Sequence, residues 1–403
     1  MDLMKKRCLI LIASCFVTLC VGSLYAWSVF ASPMSAYLSE LSGKEIASLA
    51  IVFTVANSVG PITMIGGGFV NDRIGPKWVL VAAGVLFGLG MIGSGFATSV
   101  PMLILTYGLG VGLGCGMAYG TIVSNAVKFF PDKSGLAGGL TTACYGGSSI
   151  IIPIIASAML RTMHVTTAFR ILGAVMGLII IASAFVIEAA PAGFTAGMKV
   201  SSNAQAPSND VDWRGMLQER SFYLMLMTLT CGAFAGMMII SQASPIAQQM
   251  MGFSPEKAAA VVSLLALFNM LGRLASGMLS DRLGALGTMR LTFGISIIAG
   301  IMLFFCTDQS PAIFYVGLAF AGFGFGSIMG IYPGFTAQKF GRKYNSVNYG
   351  IMFIGFALAG FLGPMIMNTL KGITGRYQPA FLVAAALGVV GELLILALGK
   401  SDK

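Results

Sequence analysis

The sequence predicts an all-α polytopic membrane protein of twelve transmembrane helices, built as two six-helix pseudo-repeats, and three observations carry that expectation. Composition is the first. Of 403 residues, 57% are hydrophobic and only 9% charged, with a mean hydropathy of +0.88, whereas a soluble globular domain carries roughly 25% charged residues. A water-soluble enzyme is excluded. The second observation is segmentation: apolar stretches near the roughly 20 residues that span a bilayer follow one another almost without pause. Residues 79–97, for example, are apolar on every side, whereas barrel strands alternate over about ten residues. The third observation is an internal repeat.

Helix α1 is expected over residues 8–31. Lys5, Lys6 and Arg7 before it imitate a signal peptide, but the apolar run exceeds the roughly 7 to 15 residues of a cleaved core, so it reads as a retained helix. There follow α2 (46–69), α3 (78–97), α4 (101–127), α5 (135–159) and α6 (168–189). The second set is α7 (221–243), α8 (256–279), α9 (288–306), α10 (311–337), α11 (346–369) and α12 (379–399). Between the sets, residues 191–220 hold Pro191, Pro207 and several Ser, Asn and Asp without apolar periodicity. The expected domains are therefore a bundle over 1–190, a linker over 191–220 and a second bundle over 221–403.

The halves repeat at a nearly constant offset. Ala31-Ser32-Pro33 recurs as Ala243-Ser244-Pro245, Asp72-Arg73 with Gly75 recurs as Asp281-Arg282 with Gly284, and Lys128-Phe129 recurs as Lys339-Phe340. Tyr119 pairs with Tyr332, and Pro153 with Pro364. A duplicated six-helix unit explains these pairs. The net charge of +10 follows the same topology, because the Lys and Arg residues gather mainly in loops on the side that holds both termini and the linker. The positive-inside rule makes that side cytoplasmic. The cysteines fall inside apolar stretches, which points to packing rather than disulfides or a metal site, and the single histidine, His164, reads as a loop residue.

Arg273 is the exception to the loop pattern: it lies within α8. An intramembrane arginine costs about 2.5 to 3.5 kcal/mol on insertion scales and marks a substrate pathway. Asp281 is eight residues away and Glu188 and Glu392 lie near helix ends, so the sequence offers Arg273 no evident carboxylate. Its planar fork suits an anionic carboxylate ligand, and Asn269, one turn earlier, is taken with it. Polar aromatics inside apolar helices form a second set: Tyr25 and Trp27 in α1, Tyr119 in α4, Tyr145 in α5, Tyr332 in α10 and Tyr349 in α11. Each hydroxyl needs a partner within the membrane. The Asp72-Arg73 and Asp281-Arg282 loops read as gating elements in which an aspartate caps a neighbouring helix. The glycine rows of α4 and α10 read as close-contact faces. No phosphate-binding loop and no Gly-x-Ser-x-Gly elbow occurs, and no enzyme chemistry, cofactor or metal is expected.

The repeated halves with Asp-Arg loops resemble the major facilitator superfamily over essentially the whole chain. Leu24-Tyr25-Ala26-Trp27, Lys128-Phe129-Phe130-Pro131-Asp132-Lys133, Gly272-Arg273 and Asn348-Tyr349-Gly350 look like its oxalate/formate antiporter branch, which includes bacterial relatives of the proton-linked monocarboxylate transporters. The resemblance implies that Arg273 binds substrate carboxylate and that Tyr25, Tyr119 and Tyr145 line the site. It also implies departures. Phe356 stands where oxalate carriers have a second cation, a lysine; Phe325 and Phe353 stand in place of tryptophans, and Met329 in place of a tyrosine. One cation and a more apolar wall suit a small monocarboxylate such as lactate, pyruvate or formate.

The expected function is secondary transport of such anions by alternating access, with the proton as coupling ion, in the bacterial inner membrane and as a monomer. The partners are the carboxylate, the proton and the lipid bilayer, and no nucleic acid. The alternatives are an oxalate/formate-type exchanger, a drug exporter, and a membrane sensor or scaffold that binds without transporting.

Overall fold

The computed structural model describes residues 3–46, 48–191 and 210–401, and every regular element among them is a helix. Eleven continuous stretches are long and apolar enough to cross a bilayer: Lys6–Ser42 (α1), Ala50–Ile74 (α2), Pro76–Ser94 (α3), Val100–Phe129 (α4), Ser134–Leu160 (α5), Val165–Ala184 (α6), Arg220–Ile240 (α7), Pro255–Phe304, Pro311–Phe340 (α10), Asn345–Thr374 (α11) and Gln378–Lys400 (α12). Pro255–Phe304 has 50 residues, about 75 Å of helix, more than twice a hydrocarbon core of about 30 Å. Gly284 breaks it, with φ 76° and ψ 160°. The two limbs are α8 (255–283) and α9 (285–304), which makes twelve spans among the described residues. Most of the expected linker, 192–209, lies outside the described residues.

The turn at Gly284 has a counterpart. Gly75, between α2 and α3, has φ 92°, and both glycines follow an Asp-Arg pair and one aliphatic residue. A positive φ strains any residue with a Cβ, which is why the repeated motif ends in glycine at both places. The repeat also shows in how α1 and α7 finish. Helix α1 runs past the expected residue 31 to Ser42, with Pro33 inside it, and stops at Gly43. Beyond α7, a short helix Ala243–Met251 stops at Gly252. The hydrophobic pattern missed these extensions because Ser35, Ser39 and Glu40, or Gln248 and Gln249, carry no apolar signal.

The chain groups into two compact units. Unit 1 is Met1–Phe130, Cys144–Phe194 and Asn345–Ile351; unit 2 is Pro131–Ala143, Thr195–Tyr344 and Met352–Lys403. The first turns of α5 therefore group with the second six helices, and those of α11 with the first six. Glycines set the helix spacing within each unit. In unit 1, a Cβ on Gly116 of α4 would lie 2.6 Å from the Gly60 Cα of α2. In unit 2, a Cβ on Gly326 would lie 2.9 Å from the Asn269 Cα, and one on Gly330 would lie 2.8 Å from the Arg273 Cα. Helix α10 is thus pressed against the α8 backbone at the two polar residues singled out in the sequence. On the other side of α8, a Cβ on Gly277 would lie 2.9 Å from the Gly139 Cα of α5.

Candidate functional site

Arg273 is 1% exposed, the largest side chain among the fully buried ones. Its Nε donates to Asn269 Oδ1 at 2.9 Å, and its Nη1 donates to the Thr142 carbonyl oxygen at 3.1 Å. The first bond joins successive turns of α8, a spacing of four residues that places both side chains on one face. The second exists because Gly139 lets α5 approach α8 closely. The guanidinium carbon lies 5.9 Å from the Phe325 ring centroid, within cation–π range. Phe325 is followed by Phe356 at 6.4 Å, and Phe356 stacks on Phe353 at 4.5 Å with rings 24° apart. Five residues chosen from the sequence, Asn269, Arg273, Phe325, Phe353 and Phe356, therefore meet in unit 2.

Unit 1 gathers three of the tyrosines. Tyr145 is central: its ring is 4.9 Å from Tyr119 and 5.4 Å, edge-on, from Tyr25. The Cys115 sulfur lies 3.6 Å from the Tyr145 hydroxyl. Helix α1 is a 3₁₀ helix over Gly22–Ala26 where it carries Tyr25, and a Cβ on Gly22 would meet Ser148 Cβ at 2.8 Å, so α1 and α5 touch at this level. Tyr332 does not share the environment of its repeat equivalent Tyr119. Its hydroxyl donates to the Met225 carbonyl oxygen of α7 at 2.7 Å, and its ring meets Phe335 edge-on at 6.0 Å. That hydroxyl satisfies a backbone carbonyl, which gives Tyr332 a part in holding α10 to α7.

The two Asp-Arg loops cap helices. Asp281 accepts from the backbone N–H groups of Gly135 and Leu136, each at 2.8 Å, at the start of α5. Asp72 accepts from the Val347 N–H at 3.1 Å, in the first turn of α11, and pairs with Lys128 at 2.5 Å. Free amides at a helix start and its positive end favour a carboxylate. Arg73 and Arg282 are exposed. A buried polar layer in unit 1 supports the Asp72 cap: Asn71 donates to Ser346 at 2.7 Å, Ser346 to Ser124 at 2.9 Å, and Asn345 to Ser124 at 3.2 Å. In unit 2, Arg342 donates to the Pro131 carbonyl at 3.2 Å, and burial pulls its pKa below the usual arginine value against the opposing pull of Asp210 and Asp132.

Reasoning from sequence missed Lys128 as the partner of Asp72, the Ser124–Ser346 layer and the carbonyl of Thr142. Only Lys128 had a signal, as part of a repeated pair. Glu188, expected within α6, lies beyond its end at Ala184 and pairs with Lys6 at 2.6 Å, while Glu392 of α12 pairs with Arg290 at 2.9 Å. His164 caps the start of α6. Among the described residues no group of His, Cys, Asp or Glu could hold a metal ion.

The sequence profile of the Major Facilitator Superfamily matches residues 12–364. The oxalate:formate antiporter of Oxalobacter formigenes is 29% identical over 374 residues, covering 93% of this chain and 86% of its own. An uncharacterized MFS-type transporter of Escherichia coli K12, YhjX, is 27% identical over 354 residues, covering 88% and 86%. Among solved structures, the human organic anion transporter MFSD10 superposes with a TM-score of 0.74 at 12% identity, over 98% of this chain and 100% of that one. That last likeness shows the fold alone. Helix count, repeated Asp-Arg turns and profile agree: this multi-pass membrane chain is a transport protein, not an enzyme, and it belongs to the major facilitator superfamily.

Proposed function

We propose that the protein is a proton-coupled symporter of small monocarboxylate anions, with Arg273 as the carboxylate-binding residue. The observation that carries the reading is the setting of Arg273: a buried guanidinium oriented by Asn269 and the Thr142 carbonyl, with the Phe325 ring beside it and Phe356 next to Phe325. A guanidinium offers two parallel N–H donors to one carboxylate, and phenylalanines favour a short apolar tail over a second charge. The oxalate:formate relative supports an organic anion as substrate. Tyr25, Tyr119 and Tyr145 are proposed as polar substrate contacts, and Asp72, Arg73, Asp281 and Arg282 as gating residues. The excess of Lys and Arg on one side supports an inner-membrane protein with cytoplasmic termini.

Uptake of labelled lactate into proteoliposomes tests the coupling. Acidifying the outside with the membrane potential clamped should accelerate uptake and drive accumulation. Exchange without gradient-driven accumulation would favour the second reading, an anion exchanger, which the oxalate:formate relative supports.

A further inference from the structure

Two neighbouring helices of unit 1 leave α-helical geometry at the same level. Helix α1 is 3₁₀ over Gly22–Ala26, and α4 is π-helical over Ile104–Val111. Such stretches cost hydrogen-bond quality and recur at functional sites. They meet where the Trp27 ring lies 4.5 Å from that of Tyr107, which also meets Phe169 edge-on at 5.9 Å. Tyr107 is fully buried, and its hydroxyl has no hydrogen-bond partner among the described residues. Ser23 and Ser148, both 0% exposed, have orphaned hydroxyls as well. Ser148 lies against Gly22, Ser23 is the next residue and Trp27, which meets Tyr107, follows four residues later, so the three residues meet or belong to α1 within about 10 Å of its length.

Buried hydroxyls are almost always satisfied, and a group of them without protein partners marks a place for ordered water. The π turn serves the same end. Eight residues overshoot two α-helical turns by just under one residue, and the wider turn absorbs that excess, keeping Tyr107 on the same face as Cys115. Cys115 in turn lies 3.6 Å from the Tyr145 hydroxyl, beside Tyr25 and Tyr119.

We propose that Tyr107, Ser23 and Ser148 bind water inside unit 1 and that this water carries the coupling proton towards Tyr145; the proton-carrying role rests on the symport reading above. Each transfer is a relay in which an oxygen takes a proton from one neighbour as its own O–H proton passes to the next, leaving the hydroxyls neutral. No buried carboxylate is needed, so the relay is compatible with Glu188 and Glu392 being engaged with Lys6 and Arg290.

X-ray hydroxyl-radical footprinting of the wild-type protein reads the water directly, because radicals form from water beside the labelled side chain. Tyr107 should be labelled at a rate within a few-fold of the exposed Tyr223, while the equally buried Phe314 stays unlabelled. Absence of labelling at Tyr107 would overturn the site, whether or not any variant folds. In proteoliposomes, Tyr107→Phe should lower proton-driven lactate accumulation about tenfold while lactate counterflow stays within about twofold. Wild-type accumulation in Tyr107→Phe would overturn the relay. A wild-type protein that accumulates no lactate under a pH gradient would remove the symport reading and the proton-carrying role with it, and the footprinting result would decide the water site separately.

Discussion

Arg273 Nε donates to Asn269 Oδ1 at 2.9 Å, a bond between successive turns of α8 that aims a fully buried guanidinium. A hydrogen bond to a charged group contributes about 1.5 to 3 kcal/mol. Asn269→Ala should therefore weaken carboxylate binding about tenfold or more without unfolding the protein, since α10 still packs on the α8 backbone. Arg273→Ala should abolish transport, and Arg273→Lys should remain severely impaired because an ammonium lacks the planar fork. Equilibrium binding and initial uptake rates of lactate check all three.

The equivalents Tyr119 and Tyr332 should separate experimentally. Tyr119→Phe is expected to lower substrate affinity about tenfold, because its hydroxyl sits in the cluster around Tyr145. Tyr332→Phe removes the bond to the Met225 carbonyl, so about 1 kcal/mol of stability should be lost with affinity nearly unchanged. Thermal melting together with lactate binding distinguishes them; a Tyr332→Phe protein of native stability and poor affinity would make Tyr332 a substrate contact.

Asp72 and Lys128 should be energetically coupled. Their side chains are 5% and 16% exposed, and removing one partner of a buried pair costs about 3 to 5 kcal/mol. Asp72→Asn and Lys128→Met should each destabilise the protein strongly, and the double variant should be milder than the sum of both. Additive losses in a double-mutant cycle would show that the pair contributes nothing beyond its separate contacts.

Phe356→Lys should recruit dicarboxylates. Phe356 lies next to Phe325, the ring against Arg273, so a lysine there supplies a second cation near the first. Oxalate affinity should rise by an order of magnitude or more, and lactate affinity should fall. Competition against labelled lactate measures both changes.

The spans, the repeat and Arg273 were legible because each leaves a one-dimensional signature: apolar length, recurring motifs and a charge where none belongs; Phe325, Phe353 and Phe356 were singled out only by the family resemblance. The helical extension to Ser42 was not, since polar helix has no hydrophobic period to read. Nor was the difference between Tyr119 and Tyr332, because sequence equivalence says nothing of which carbonyl lies opposite a hydroxyl. Lys128 was visible only as half of a repeated pair, and its bond to Asp72 depends on how α2 and α4 pack. The π turn at Tyr107 was hidden for a similar reason: one residue of register is absorbed by packing against α1, with no residue type that announces it.

The most direct measurement is uptake of labelled lactate by the unmodified protein in proteoliposomes, with unlabelled pyruvate or oxalate in excess. A dianion beside a single guanidinium would leave a second carboxylate desolvated at a cost of several kcal/mol. Pyruvate should therefore abolish the signal at concentrations where oxalate leaves it unchanged. Strong competition or transport by oxalate would contradict the monocarboxylate assignment and show that a second cation reaches the substrate.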